Sequence, residues 1–243
     1  MTDPRALVHD SPGQLARDVA SRLLTVLTAM QAEGRTPHIA LTGGSIADKI
    51  HAEVARQTPG SPVRWDHVEV WWGDERFVPR DDPQRNALQA HRTLLDHIPV
   101  NPSRVHEIPS SDEADSPDAA AVMYSDMLRN SGAGDFDVVM LGLGRNGHVA
   151  SLMPHSPALH VTDEIAVGVT NSPKPPPNRV SLTFDALNHT RETWFVVAGE
   201  DKAEAVARAL AEEGSIEETP ARGIHAKLHT HWFVDVEAAQ QIC

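Results

Sequence analysis

The segment Asp137-Val-Val-Met-Leu-Gly-Leu-Gly-Arg-Asn-Gly-His-Val-Ala-Ser-Leu-Met-Pro154 decides how this chain folds. It opens with a short apolar run, which reads as a strand buried on both faces, and breaks into glycines at the strand's carboxyl end. Comparable runs occupy residues 38–42, 68–72, 165–170, 179–183, 193–198 and 231–235. Between them, apolar periodicity and flanking turn residues predict helices over 13–33, 46–57, 86–95, 116–130 and 201–213. Strands interleaved with helices imply an α/β fold with a largely parallel sheet and helices on both faces, in one domain over residues 1–243.

Gly142, Gly144 and Gly147 match a dinucleotide-binding fingerprint, and Asp163 lies near where a ribose-binding acid would stand. Pro154 and Pro157 leave only about two turns for the helix that would hold a pyrophosphate, so no nicotinamide cofactor is expected. His148 follows the last glycine at the carboxyl edge of the sheet, where ligands bind in such folds. Its side chain has an unperturbed pKa close to neutral, which suits a general base; a lone histidine is more often a packed residue, but the glycine-rich, strand-end setting favours the base.

Thr42-Gly43-Gly44-Ser45 ends one strand and opens a helix, a place where free amides and the helix dipole hold phosphate, or where a plain turn lies. Gly73-Asp74-Glu75-Arg76 brings two carboxylates and a guanidinium to another strand end, as a site or as a structural ion-pair network. Lys202 stands in a first helical turn, against the dipole, and Arg179 follows a loop (171–178) with four prolines in eight residues. Both are candidate anion ligands, arginine by a bidentate grip and lysine as a point charge. Ser151 lacks the G-x-S-x-G elbow of a hydrolase nucleophile and reads as a capping or packing residue.

A formal net charge of −13 argues against a nucleic-acid partner, because a polyanion needs a basic surface. The first ten residues lack the apolar core of a signal peptide, and no stretch approaches the roughly 20 apolar residues that span a bilayer. Cys243 is the single cysteine, so no internal disulfide can form, and a cytoplasmic protein is expected. His225, His229 and His231 lack the carboxylate of a H-E-x-x-H site and read as a solvated loop, with no metal expected.

Taken together, Thr42–Ser45, Gly73–Arg76, Leu141–Pro154 and Pro176-Pro-Asn-Arg-Val-Ser-Leu-Thr183 resemble the 6-phosphogluconolactonase family. The turn from Gly199 to Lys202 and the closing Trp232-Phe-Val-Asp235 resemble that family's carboxyl-terminal pattern. The resemblance implies a Rossmann-like three-layer sandwich and a cofactor-free hydrolase that opens 6-phosphogluconolactone in the oxidative pentose phosphate pathway. It also implies functional coupling to glucose-6-phosphate dehydrogenase, and a monomer is the default expectation. Catalysis falls to His148 as general base, assisted by Asp74 and Arg76, and phosphate binding to Gly43, Gly44, Ser45, Arg179 and Lys202.

The chain departs from the family in three places: Asn146 replaces the usual acid before Gly-His, Ile46-Ala47 the usual Thr-Pro, and Arg85-Asn86 the usual Ser-Asn. Losing the acid removes a charge that would raise the pKa of His148. Two rival activities remain. A glucosamine-6-phosphate deaminase resembles Gly-His-Ile-Ala-Phe-Asn-Glu-Pro where this chain has Ser151-Leu-Met-Pro154 and no acid. A sugar-phosphate-sensing domain of a regulator would be expected to carry a helix-turn-helix and a basic surface.

Overall fold

The computed structural model describes residues 5–132 and 134–242, and Cys243 lies outside them. Six strands, β1 (Arg5–His9), β2 (His38–Leu41), β3 (Glu69–Trp72), β5 (Phe136–Leu141), β8 (Thr190–Val197) and β9 (His229–Asp235), form one sheet. They lie in the order β1-β9-β8-β5-β2-β3, and every adjacent pair is parallel. With α1 (Pro12–Ala32), α2 (Ser45–Gln57), α3 (Asn86–Thr93), α4 (Pro117–Asn130), α5 (Phe184–Asn188) and α6 (Ala203–Leu210), this makes the expected α/β sandwich. Every residue of β5 is buried, as a central parallel strand covered on both faces requires.

The expected helices form with small shifts of boundary, and their capping residues explain the starts. Ser11 and Ser116 each turn a side-chain oxygen onto a first-turn amide, and a proline follows each, so α1 and α4 begin where an N-cap and a pre-set φ coincide. The last helix stops at Leu210 rather than at 213, because Arg222 takes the carbonyls of Arg208, Ala211 and Glu212. No helix of the described residues is long and apolar enough to cross a membrane.

Two predicted strands, β6 (Ala166–Val169) and β7 (Arg179–Leu182), leave the parallel sheet and pair antiparallel with a third, β4 (Asp74–Arg76), in the order β4-β7-β6. The chain changes sheets at Gly73: its amide donates to Leu41 of the first sheet, and its carbonyl accepts from Leu182 of the second. The Asp-Glu-Arg run is thus a strand and not a solvated loop. The expected strand at 231–235 forms as β9 and begins two residues earlier, so His229 and His231 belong to a strand and not to a solvated loop; β1, whose register pairs Arg5 with His231, was not among the expected strands. Among the described residues no group of three or more His, Cys, Asp or Glu could hold a metal ion.

The strand order reverses between β2 and β5. β2 leads outward to β3, whereas β5 leads the other way to β8 and β9, so the loops leaving β2 and β5 diverge and open a crevice at their carboxyl ends. Buried Asp137 at the start of β5 aligns the two strands, accepting from the His38 amide (2.9 Å) and pairing with Arg35.

The second sheet is seated by α4. A Cβ at Gly168 would lie 2.6 Å from the Asp118 amide and 2.8 Å from the Pro117 carbonyl carbon, backbone that cannot swing aside. Gly168→Ala is therefore expected to destabilise the protein by about 1–3 kcal/mol, read as a lower urea midpoint at unchanged slope.

Candidate active site

The crevice holds the residues that the sequence singles out. Thr42, Gly43, Gly44 and Ser45 line it from the end of β2, His148 from the loop after β5, and Lys202 from beyond β8. Asp74, Arg76 and Arg179 reach it from the second sheet. All eight proposed site residues thus face one pocket, together with two that the sequence reading did not single out, Asn86 and Lys174.

The three glycines after β5 build a support for His148 rather than a dinucleotide site. The Gly144 amide donates to the His148 carbonyl (2.9 Å) and the Gly147 amide to the Gly144 carbonyl (2.9 Å), closing a tight turn. Gly147 holds it at φ 84°, and a Cβ on Gly144 would lie 1.9 Å from the His148 ring. No helix follows: the next regular element is a 3-10 turn at Pro157–His160, so even the two turns allowed by Pro154 and Pro157 do not form.

Asn146 orients the imidazole. Its side-chain oxygen lies 2.5 Å from His148 Nδ1 and also accepts from the His148 amide (3.3 Å). An amide oxygen only accepts, so Nδ1 carries the proton and Nε2 keeps its lone pair. Burial pushes the His148 pKa down to about 3, helped by the positive charges of Lys174, Arg179, Lys202 and Arg76. The ring is neutral at physiological pH.

A hydrogen-bonded frame fixes the neighbouring groups. Asp74 accepts from Ser151 Oγ (2.6 Å), and the Asn86 amide donates to its carbonyl (2.9 Å). Ser151, fully buried, is a positioning residue rather than a helix cap. The ring partner of His148 is Asn146, while Asp74 bonds to Ser151 and Asn86. Arg76 Nη1 donates to the Gln84 carbonyl (2.8 Å) and to Asn86. Asn86 in turn lies so close over Gly43 that a Cβ there would sit 1.8 Å from its side-chain oxygen, which is why the turn after β2 needs glycine.

Two further features suit an anion. α2 starts at Gly44, at φ 104°, and no side chain caps it, so its first-turn amides face the pocket uncapped. Lys202 lies in a 3-10 turn, Glu200–Lys202, leading into α6. That turn is pinned where the Gly199 amide donates to buried Asp235 (3.0 Å), which gives the closing Trp-Phe-Val-Asp its role. Asn86 and Lys174 were hard to find from sequence: Asn86 matters through contacts made across the fold and Lys174 through its place in the pocket lining, and the one signal was their nearness to Arg76 and Arg179.

The fold and the pocket together define a class: an α/β protein with a crevice at the switch point of a parallel sheet, lined by cations and a neutral imidazole and suited to a small anion. The family model of glucosamine-6-phosphate isomerases/6-phosphogluconolactonase matches residues 10–232, and the chain belongs to that family. It is 40% identical to the 6-phosphogluconolactonase of Streptomyces coelicolor, over 98% of this chain and 95% of that one. The crystal structure of 6-phosphogluconolactonase from Leishmania guyanensis superposes with a TM-score of 0.87 at 24% identity, covering 99% of both chains. A monomeric glucosamine-6-phosphate deaminase superposes nearly as well, with a TM-score of 0.83 at 20% identity over 98% of this chain and 99% of that one. At such identities the likeness shows the fold alone.

The low pKa of His148 reflects burial first and then the positive charges of Lys174, Arg179, Lys202 and Arg76. In ring-proton NMR, His148 is expected to stay neutral from pH 8 down to about pH 4. Asn146→Asp places a negative charge at Nδ1, stabilises the imidazolium and moves the titration upward. Titration of wild type near 6.5 would contradict the geometry described.

Proposed function

We propose that this protein hydrolyses 6-phospho-D-glucono-1,5-lactone to 6-phospho-D-gluconate, with His148 activating water. The single observation that carries the reading is a neutral imidazole, its Nε2 lone pair free, in a pocket that also gathers Arg76, Arg179, Lys174 and Lys202. A lactone bearing a phosphate needs both: a base for water at one end and positive charge for the anion at the other.

Bound phosphate takes the amides of Gly43, Gly44 and Ser45, the Lys202 ammonium and the free N–H groups of Arg179. His148 Nε2 removes a proton from water as it attacks the lactone carbonyl, then returns the proton to the ring oxygen as the ring opens. Arg76 assists from the pocket wall, and Asp74, through Ser151 and Asn86, keeps that wall in place. Phosphate binding also opposes the positive charges that hold the His148 pKa down, so the base strengthens once substrate is bound. Binding energy from the phosphate, remote from the reacting carbon, positions the lactone.

The family relationship supports this substrate, and so does the absence of an acid in Ser151-Leu-Met-Pro154. Such a reaction couples the protein to glucose-6-phosphate dehydrogenase, which supplies the lactone, and places it in the oxidative pentose phosphate pathway. The reading extends to a cytoplasmic monomer that acts without cofactor.

Lactone generated in situ from glucose 6-phosphate is expected to open far faster with wild type than by spontaneous hydrolysis. His148→Ala is expected to lose at least a hundredfold in kcat, the typical scale of a general base. No acceleration by wild type would sink the lactonase reading. Ammonia released from glucosamine 6-phosphate would replace it with the deaminase.

A further inference from the structure

Of the four cations that line the pocket, three are tied to protein partners. Arg76 donates to the Gln84 carbonyl and to Asn86, and Lys202 lies 3.7 Å from Asp201, a carboxylate already held by Arg145 (2.6 Å). Arg179, 2% exposed, donates through Nε to the Pro176 carbonyl (3.1 Å) and through Nη2 to the carbonyls of Lys174 (3.1 Å) and Pro175 (3.0 Å). Lys174 differs: its ammonium makes no hydrogen bond or ion pair with any described residue, yet its side chain lines the pocket.

The backbone that carries this free ammonium is held firmly. Four of the eight residues at 171–178 are proline, each with φ fixed by its ring. The loop is closed by the Ser172 amide on the Pro177 carbonyl (3.0 Å), and the Phe77 amide takes the Asn178 carbonyl (3.0 Å). Burying a guanidinium to hold three consecutive carbonyls costs desolvation that an ordinary surface loop does not need. The residue thereby placed at the pocket is Lys174.

We propose that Lys174 Nζ is the cation that meets the oxyanion formed at the lactone carbonyl, with Arg179 as the positioning residue that holds the Lys174 backbone. The assignment rests on the lactonase reading above. As the water oxygen bonds to the carbonyl carbon, the carbonyl π pair moves onto the exocyclic oxygen and the water proton passes to His148 Nε2. The tetrahedral anion then collapses, the bond from carbon to ring oxygen breaks, and the proton moves from His148 to the leaving oxygen. A point charge on a long stem suits that short-lived exocyclic oxygen, whereas the amides at the start of α2 are fixed and suit the permanent phosphate. The position of Lys174 relative to the base agrees: of the four cations, it depresses the His148 pKa most. A base that delivers water lies beside the carbonyl carbon, and so does the cation most strongly felt by that base.

The test splits kcat from KM in Lys174→Met, with His148 followed by NMR in the same protein. An oxyanion contact predicts a fall of about tenfold to a hundredfold in kcat, with KM changed by less than about threefold. The His148 titration is also expected to rise relative to wild type, because the charge that depresses it most is gone. A large rise in KM with kcat retained would place Lys174 on the phosphate and overturn the proposal, as would a variant with wild-type kcat. An unmoved His148 titration would overturn the proximity on which it stands. The NMR arm reads independently of substrate, so failure of the lactonase reading, seen as no acceleration by wild type, stays separate from failure of the Lys174 assignment.

Discussion

A carboxylate with almost no access to water holds the site together. Glu75, 1% exposed, accepts from the amides of Arg76 (2.7 Å), Asn86 (2.7 Å) and Ala87 (2.8 Å), and Arg85, fully buried, lies 3.9 Å away. One side chain thus joins β4 to the amino end of α3, where the helix dipole favours negative charge. Asn86 is set by that junction, and through Asn86 so are Arg76, Asp74 and the close approach to Gly43. Burial pushes the Glu75 pKa up to about 7 against the pull of Arg85 and the amides. A carboxyl raised in this way stabilises the fold fully below its unfolded value of 4.5, and the contribution is lost as pH rises through about 7.

What the sequence revealed and what it hid follow from where each signal resides. Five strands of the parallel sheet were visible because they are largely continuous apolar runs, and the helices because their caps and periodicity are local; the edge strand β1, a short run flanked by polar residues, was not. β4 was hidden because Asp-Glu-Arg has no apolar pattern: it is a strand only through pairing with β7, its charges satisfied by Ser151, the α3 amides and Gln84. The antiparallel sheet was hidden for a related reason, since a buried strand reads the same whichever way its neighbour runs. In the site, the glycines were legible because backbone constraints leave a residue-type signature. Asn146 was legible only as a departure from the family's pattern, and Asn86 and Lys174 are ordinary polar residues whose places in the site appear only once the chain has folded.

Asn146 shows how a departure from the family's pattern can keep part of a function and change another. An acid at that position would both select the Nδ1 proton and add charge that favours the imidazolium. The amide keeps the first effect and drops the second. His148 is left with fixed orientation and a low pKa, in a site whose remaining charges are mostly positive. Acting as the base proposed above, His148 would draw its proton affinity from the ligand more than from the protein.

The contrast between the acidic whole and its basic crevice bears on traffic through the site. The −13 of the whole chain repels anions along the outer surface, while the four pocket cations attract inside the crevice, both fields being screened over about a Debye length, near 8 Å at physiological salt. A large polyanion meets the outer field along its whole length and is turned away. A small dianion can slip between the two regimes and be drawn in. An acidic surface around a basic crevice would act as a size filter built from charge, favouring small anions over long ones, and added salt would blunt it.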